Sequence, residues 1–511
     1  MLKGAALTAL ATILAAGAAA AQDAAGGCAA LADMRLDATN LLSAAEVPAG
    51  DELPAYCRVL GYVRPAINFE VRLPSEGWNG KFYMAGCGGF CGTVLSESKD
   101  TFNAINHALA RGYAVATSDG GHWGTGSTDA RWARDNPVAE ADWGWRSVEE
   151  TTRVAKALTE AYFDAAPEHS YFQGCSTGGR QANMAAIRTP EAFDGIISGA
   201  PALDYPGLVA TAFAWVVQAN TGPDGAQILT PEDAPVVAEA VSAACDGADG
   251  VEDGVISAPD QCDWTPAKLA CEAGQDEGCL SPQKVAVLEK WYAPAAAPDG
   301  TVLYPAGVPL SSEPFWGLWL TGLPEGGGRV VPAFGQNFLR YMAFPEDPAP
   351  DYTAMDFDFA ADPARLEPAA ALYNSDDPDL SAFRDAGGKI LVYHGLADAV
   401  VFPGKSVDWF EALGETTEGA DEFARLFLIP GFDHCGIQGS GPGVDQRGID
   451  PLTALEAWVE RGEAPDALPS VKMVDGAEAW ARPVCAYPAT ARFSGDGDWR
   501  DAAGWTCEAA E

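Results

Sequence analysis

The chain has 511 residues, 48% hydrophobic and 20% charged, with 31 Lys+Arg against 72 Asp+Glu for a net charge of −41. That length and apolar content allow one large domain carrying an insertion, or two to three ordinary domains. The acidic balance argues against nucleic acid and anionic membrane surfaces as partners, because both repel it.

In chain order, residues 1–22 come first: Lys3, an apolar run from Ala5 to about Ala16, then small residues before Gln22. This pattern predicts a cleaved secretory signal and therefore a secreted or periplasmic protein. The run is short and alanine-rich for a membrane anchor, and no later segment approaches a spanning length. Twelve cysteines follow. An even number in an exported chain favours disulfides, and a zinc site lacks both CxxC pairs and accompanying histidines.

From about Cys57 to Ala202, short apolar runs alternate with helical ones. NFEVRLP, KFYMAG, YAVATSDGG, YFQG and FDGIISGAP read as strands, and SVEETTRVAKALTEAYF and RQANMAAIR as helices. That grammar predicts a mostly parallel α/β sheet. It fails between Leu203 and Arg384, where prolines, glycines, tryptophans and four cysteines gather without regular alternation. It resumes with GGKILVYHG, FARLFLIPG and PLTALEAWVERG, whose Gly462 is a helix stop. The expected organisation is an α/β core over 23–202 and 385–511, with 203–384 inserted.

Gly174-Cys175-Ser176-Thr177-Gly178 matches G-x-S-x-G, with a strand-like segment before it and a helix-like one after. In that context Ser176 sits on a nucleophile elbow, at a helix N-terminus that favours developing negative charge. A serine nucleophile needs a base, and of the five histidines only His394 and His434 follow it in the serine–acid–histidine order. His434, on the loop GFDHCG after a strand, is the better base. Asp398 in HGLADAVV is the expected acid; Asp433, adjacent to His434, is its rival. Cys175 and Cys435 each adjoin one of these residues. A bond between them requires Cα atoms roughly 4.4–6.8 Å apart, and would hold Ser176 and His434 together.

Cys-Ser, then Asp, then His-Cys resembles the tannase and feruloyl esterase family, which includes hydrolases of terephthalate monoesters. The similarity extends through WNGKFYMAGCGGFCG, FDGIISGAPAL, HGLADAVV, WVERGEAP and RPVCAYP. It implies an α/β-hydrolase core with a large lid inserted between the nucleophile half and the Asp/His half. It also implies cleavage of esters of phenolic, hydroxycinnamic or gallic-type acids by a Ser176–His434–Asp398 triad. The oxyanion hole would use the Thr177 amide and one from the GCGGFCG loop, Gly89 or else Gly88. CDGADGVEDGVISAPDQC gathers carboxylates and glycines without EF-hand spacing, which composition alone leaves balanced between a calcium loop and ordinary acidic turns. The resemblance implies a structural calcium ion there, held by Asp246, Asp249 and Asp253 and by the main chain of Val251 and Val255. Nearness and resemblance together suggest the bridges Cys175–Cys435, Cys245–Cys262, Cys271–Cys279, Cys485–Cys507, Cys28–Cys57 and Cys87–Cys91.

Aromatic residues of PFWGLWLTG and FLRYMAF are candidates for an acyl pocket, with Arg340 a candidate partner for a substrate carboxylate or hydroxyl. Three other readings remain: a terephthalate monoester hydrolase, a broad carboxylesterase, lipase or peptidase, and a non-catalytic, calcium-stabilised binding protein.

Overall fold

The computed structural model describes residues 27–509 apart from 100, 276 and 440. The signal expected over residues 1–22 lies outside the described residues. The strands are β1 (Thr39–Val47), β2 (Tyr56–Val63), β3 (Ile67–Pro74), β4 (Lys81–Ala85), β5 (Ala114–Ser118), β6 (His169–Cys175) and β7 (Gly195–Gly199). They continue with β8 (Ala295–Ala296), β9 (Val302–Tyr304), β10 (Lys389–Gly395), β11 (Ala424–Ile429), β12 (Ala467–Val474), β13 (Ala477–Cys485), β14 (Ala489–Phe493) and β15 (Trp505–Ala509).

Nine of these form one sheet in the order β1-β2-β3-β5-β4-β6-β7-β10-β11. From β5 to β11 every pairing is parallel. The sequences account for this: AVATS, GIISG and the ILVYHG of β10 are unbroken small or apolar runs, buried on both faces between layers of helices. The sheet is less parallel than the sequence pattern suggests, because β1, β2 and β3 pair antiparallel with one another and β3 with β5. β1 and β2 lie before or at the edge of the region where alternation is readable, and β1 is only partly buried, so its hydrophobic signal is weak.

The helix Ser147–Phe163 buries Val148, Val154, Ala155, Leu158 and Tyr162 along one face. The helix Pro451–Arg461 starts at Asp450, whose side chain accepts from the Thr453 amide. It stops at Gly462 in the left-handed region at φ 72°.

β7 and β10 are hydrogen-bonded neighbours, with Lys389 opposite Gly195, although residues 200–388 run between them. That intervening chain holds helices, turns and the small β8–β9 hairpin, and it forms the lid. Lid and core share one hydrophobic cluster, in which Phe90 and Trp143 of the core sit with Tyr205, Trp316 and Phe338 of the lid. After Arg461 the chain leaves the large sheet and makes two hairpins, β12–β13 and β14–β15. So the last segment is not simply the second part of the sheet core: its hairpins pack beside the acidic turn of the lid, where Arg492 bonds to the Ala248 carbonyl. Among the described residues no helix is long and apolar enough to cross a membrane.

Candidate active site

β6 ends at Cys175, and the helix Thr177–Arg188 begins immediately after Ser176. A turn this tight leaves no room for side chains where strand and helix cross: a Cβ on Gly174 would lie 2.4 Å from the Gly178 backbone. Ser176 itself sits at φ 66°, ψ −121°, a region that costs a non-glycine residue of order 1–3 kcal/mol. The strain turns its hydroxyl out above the carboxyl edge of the sheet.

Two further loops at that edge complete the cluster. Asp398 follows β10 and His434 follows β11. His434 Nε2 is 2.9 Å from Ser176 Oγ, and His434 Nδ1 is 2.7 Å from Asp398 Oδ2. The other Asp398 oxygen accepts from the Val400 and Val401 amides at 2.8 and 2.9 Å. His394 Nε2 lies 3.4 Å from Asp398 Oδ2 and is otherwise held by the Val401 carbonyl and Ser406 Oγ. It therefore backs the carboxylate rather than facing Ser176.

Burial by itself would raise the Asp398 pKa. The charges and hydrogen bonds of His434 and His394 outweigh it and hold the carboxyl below its ordinary range. For His434, burial opposes the cation, but the facing Asp398 carboxylate prevails and the pKa is raised. Such an imidazole is stabilised as a cation by the carboxylate it faces. The rival acid, Asp433, accepts instead from the Gln438 amide at 3.1 and 3.2 Å, and burial pushes its pKa up to about 7.

All six expected disulfides are present. Cys175 and Cys435 have Cα atoms 6.0 Å apart across 260 residues of sequence, joining the nucleophile turn to the histidine loop. The elbow has a second brace that sequence reasoning missed. Asn103 accepts from the Cys175 amide at 3.0 Å and donates to the Cys175 carbonyl at 3.1 Å, as a neighbouring strand would. Nothing in the local sequence announces that role, since Asn103 lies in an irregular loop.

Ser176 and His434 open into a cavity of about 320 Å³ between core and lid. Trp319, Phe334, Phe213, Phe102 and Tyr205 line it, and among the described residues no Asp, Glu, Lys or Arg does. Trp319, within PFWGLWLTG, stands edge-on to the His434 ring at 5.5 Å. Arg340 is not a wall of this cavity; its Nε donates to the Tyr352 carbonyl at 3.0 Å, so it is no partner for a substrate group there. Thr177, Gly88 and Gly89 all line the cavity. The Cys87 and Phe90 amides are engaged by Gln181 and Ser127, whereas among the described residues the Gly88 and Gly89 amides donate to no protein group.

The acidic turn lies away from this cavity. Asp246 accepts from the Gly254 amide at 2.9 Å and Asp249 from Ser257 Oγ at 2.6 Å. Asp253 accepts from Arg482 Nη2 at 2.9 Å, and Arg482 Nη1 is 3.7 Å from Asp249. Three carboxylates around one buried guanidinium leave negative charge uncompensated. Asp253 feels this: burial first, then the Asp249 and Asp246 charges, raise its pKa against the pull of Arg482. The buried Val251 and Val255 carbonyls accept no hydrogen bond among the described residues. Such hard oxygen donors fit calcium, although the three aspartates are not drawn to within 4.8 Å of one another. The one described group that is so close, Cys28, Glu46 and Cys57, has its cysteines in a disulfide. Arg482 belongs to RPVCAYP, and its place beside this turn became visible only in the fold.

Residues 53–508 match the family model described as tannase and feruloyl esterase. The mono(2-hydroxyethyl) terephthalate hydrolase of Piscinibacter sakaiensis is 32% identical, the match covering 89% of this chain and 85% of that one. A probable feruloyl esterase B of Emericella nidulans is also 32% identical, over 88% of this chain and 86% of the other. Among solved structures, feruloyl esterase B from Aspergillus oryzae superposes with a TM-score of 0.82 at 26% identity, covering 94% of this chain and 100% of that one. An α/β-hydrolase sheet capped by a lid, matched in sequence over most of its length, makes this chain a carboxylic ester hydrolase of the tannase and feruloyl esterase family.

Proposed function

We propose that the protein is an exported serine esterase that hydrolyses esters of uncharged aromatic acids. The observation that carries this reading is the continuous Ser176–His434–Asp398 hydrogen-bond chain opening into an aromatic cavity with no Asp, Glu, Lys or Arg among its described lining residues.

In the proposed reaction His434 removes the Ser176 proton as Oγ attacks the ester carbonyl, and Asp398 stabilises the imidazolium that results. The Thr177 amide, at the first position of its helix, and the Gly89 or Gly88 amide would stabilise the tetrahedral oxyanion. His434 then gives its proton to the leaving alcohol, which departs and leaves an acyl-Ser176. Water attacks that ester, losing a proton to His434, and the acid is released as Ser176 recovers its proton.

The cavity's chemistry bears on the acyl group. A ring carboxylate, as in the ester for which the Piscinibacter relative is named, would be desolvated there with no Lys or Arg among the described lining residues to pair it, at a cost of several kcal/mol. A cinnamoyl- or benzoyl-type ring buries its faces against Trp319, Phe334 and Phe213 without that cost. Export is supported by the six disulfides, with no free cysteine among the described residues. A structural calcium ion at Asp246, Asp249 and Asp253, with the Val251 and Val255 carbonyls, would neutralise the charge that Arg482 leaves over; no reaction step runs through it.

The test is hydrolysis of a panel comprising methyl cinnamate, methyl ferulate, methyl gallate, a terephthalate monoester and an alkyl acetate, by the protein and by Ser176→Ala. The neutral aromatic esters should lead and the Ser176→Ala variant should be inactive on all. Turnover of the acetate alone would overturn the aromatic assignment, and activity surviving in Ser176→Ala would overturn the site.

A further inference from the structure

The loop that carries Gly88 and Gly89 is unusually constrained. Cys87 and Cys91 are bonded across a separation of four residues, so Gly88, Gly89 and Phe90 form a closed ring. Gly89 is left-handed at φ 58°, and a Cβ there would come 2.4 Å from the Ser127 carbonyl. The ring is tied at one side to the nucleophile helix, where Gln181 Oε1 accepts from the Cys87 amide at 3.0 Å. At the other it is tied to Ser127, whose carbonyl accepts from the Phe90 amide at 2.7 Å.

The lid grips the same ring from outside. On the lid helix Val330–Tyr341, the Phe334 ring stacks on Phe90 with centroids 4.0 Å apart and planes 8° from parallel. Three residues further along that helix, Asn337 Nδ2 donates to the Thr128 carbonyl at 2.8 Å. Thr128 is the neighbour of Ser127, so this bond braces the strip on which the Phe90 amide hangs. Phe334 also lines the substrate cavity, but Asn337 does not.

We propose that Phe334 and Asn337 are positioning residues through which the lid sets the pose of the disulfide-closed Cys87–Cys91 loop, and hence of the amide that receives the oxyanion. The inference rests on the esterase reading of Ser176. The lid then does more than wall the acyl pocket: its seating is read out as transition-state stabilisation. Closure by the disulfide restricts the ring's internal motion, so a shift of its anchors carries the Gly88 and Gly89 amides with it. Removing one oxyanion donor outright costs about 10²–10³ in kcat, so displacing one by a fraction of an ångström should cost about tenfold.

The test uses Asn337→Ala, because that residue does not itself line the cavity and reaches it only through the Thr128 carbonyl. With methyl cinnamate, kcat should fall about tenfold while KM changes less than twofold. Inhibition by phenylboronic acid, which takes up the serine oxygen as a tetrahedral anion, should weaken by the same factor, and inhibition by the product acid should not. Asn337→Gln, which keeps the amide donor, should recover part of the loss; Asn337→Asp, which does not, should recover none. In a Cys87→Ala/Cys91→Ala background the loop is already released, and Asn337→Ala should add little. A change confined to KM or to Tm, an unaltered boronate affinity, or full additivity with the cysteine pair would overturn the coupling. If Ser176→Ala abolishes turnover while Asn337→Ala is silent, only the coupling fails. If Ser176→Ala is fully active, the esterase reading fails with it.

Discussion

Replacing Cys175 and Cys435 together by alanine separates what the bond between them does for stability from what it does for catalysis. The bridge spans 260 residues, whereas the other five span 4 to 29, so none of those can substitute for it. In the chain-entropy model a loop of that length is worth about 5–6 kcal/mol, an upper figure because unfolded chains retain structure. At about 2.1 cal/mol/K per residue, unfolding a chain of this size carries roughly 1 kcal/mol/K of entropy, so Tm should fall by about 5 °C. Catalysis should suffer separately. His434 keeps its bond to Asp398, and the loop keeps the Gln438 amide on Asp433, so the imidazole is loosened rather than lost. A misplacement of about 1 Å between Ser176 and His434 costs on the order of 100-fold in rate. Scanning calorimetry and steady-state hydrolysis of methyl cinnamate, measured well below Tm, read the two effects independently. A variant with lowered Tm and unchanged kcat would show that the bond stabilises without positioning. Unchanged Tm and kcat together would refute both.

Asp398→Asn should lower kcat by about 10⁴ while leaving the fold intact, because the amide imposes the wrong tautomer on His434; retention of activity would return Asp433 to consideration. Asp433→Asn should instead retain kcat and shift the acid limb of kcat/KM to lower pH. The sign follows from charge: neutral His434 is the base, its pKa is raised chiefly by Asp398, and Asp433, to the extent that it is ionised with its own pKa pushed up to about 7, adds a smaller push in the same direction. An unshifted limb would mean that Asp433 does not act on His434. Gly89→Ala should depress kcat at least tenfold, since its Cβ would collide with the Ser127 carbonyl at a left-handed position, whereas Gly462→Ala, also left-handed but with open space around it, should cost only stability. Calcium chelation should lower Tm with kcat unchanged below the transition, and added calcium should restore it; a Tm indifferent to chelator and to Asp246→Asn would remove calcium from the acidic turn.

The strands and helices around the site were legible because they obey local rules. β7 and β10 are largely apolar runs bounded by glycines, β6 leads straight into the G-x-S-x-G turn, and the helix Pro451–Arg461 announces both its ends. The order of Ser176, Asp398 and His434 along the chain was legible for the same reason: each follows a recognisable strand. The antiparallel edge of β1 and β2 was not, since half-buried strands leave a weak pattern. Arg340 stayed only a candidate on sequence grounds because helical spacing says which face a residue occupies but not what lies beyond that face; its neighbour is the Tyr352 carbonyl, twelve positions away.

By itself, then, the sequence determined the α/β core, the place of the insertion, the Ser–Asp–His order and the family motif, all of which are written in runs of neighbouring residues. Tertiary structure alone decided that Asn103 braces Cys175 across 72 residues, that Arg482 reaches Asp253 across 229, and that Asn337 holds Thr128 across 209. Side-chain partners so distant in the chain leave no periodicity, because the contact depends on how whole layers pack. The same holds for the cavity: the absence of Asp, Glu, Lys and Arg from its described lining is a property of which residues from core and lid face one another.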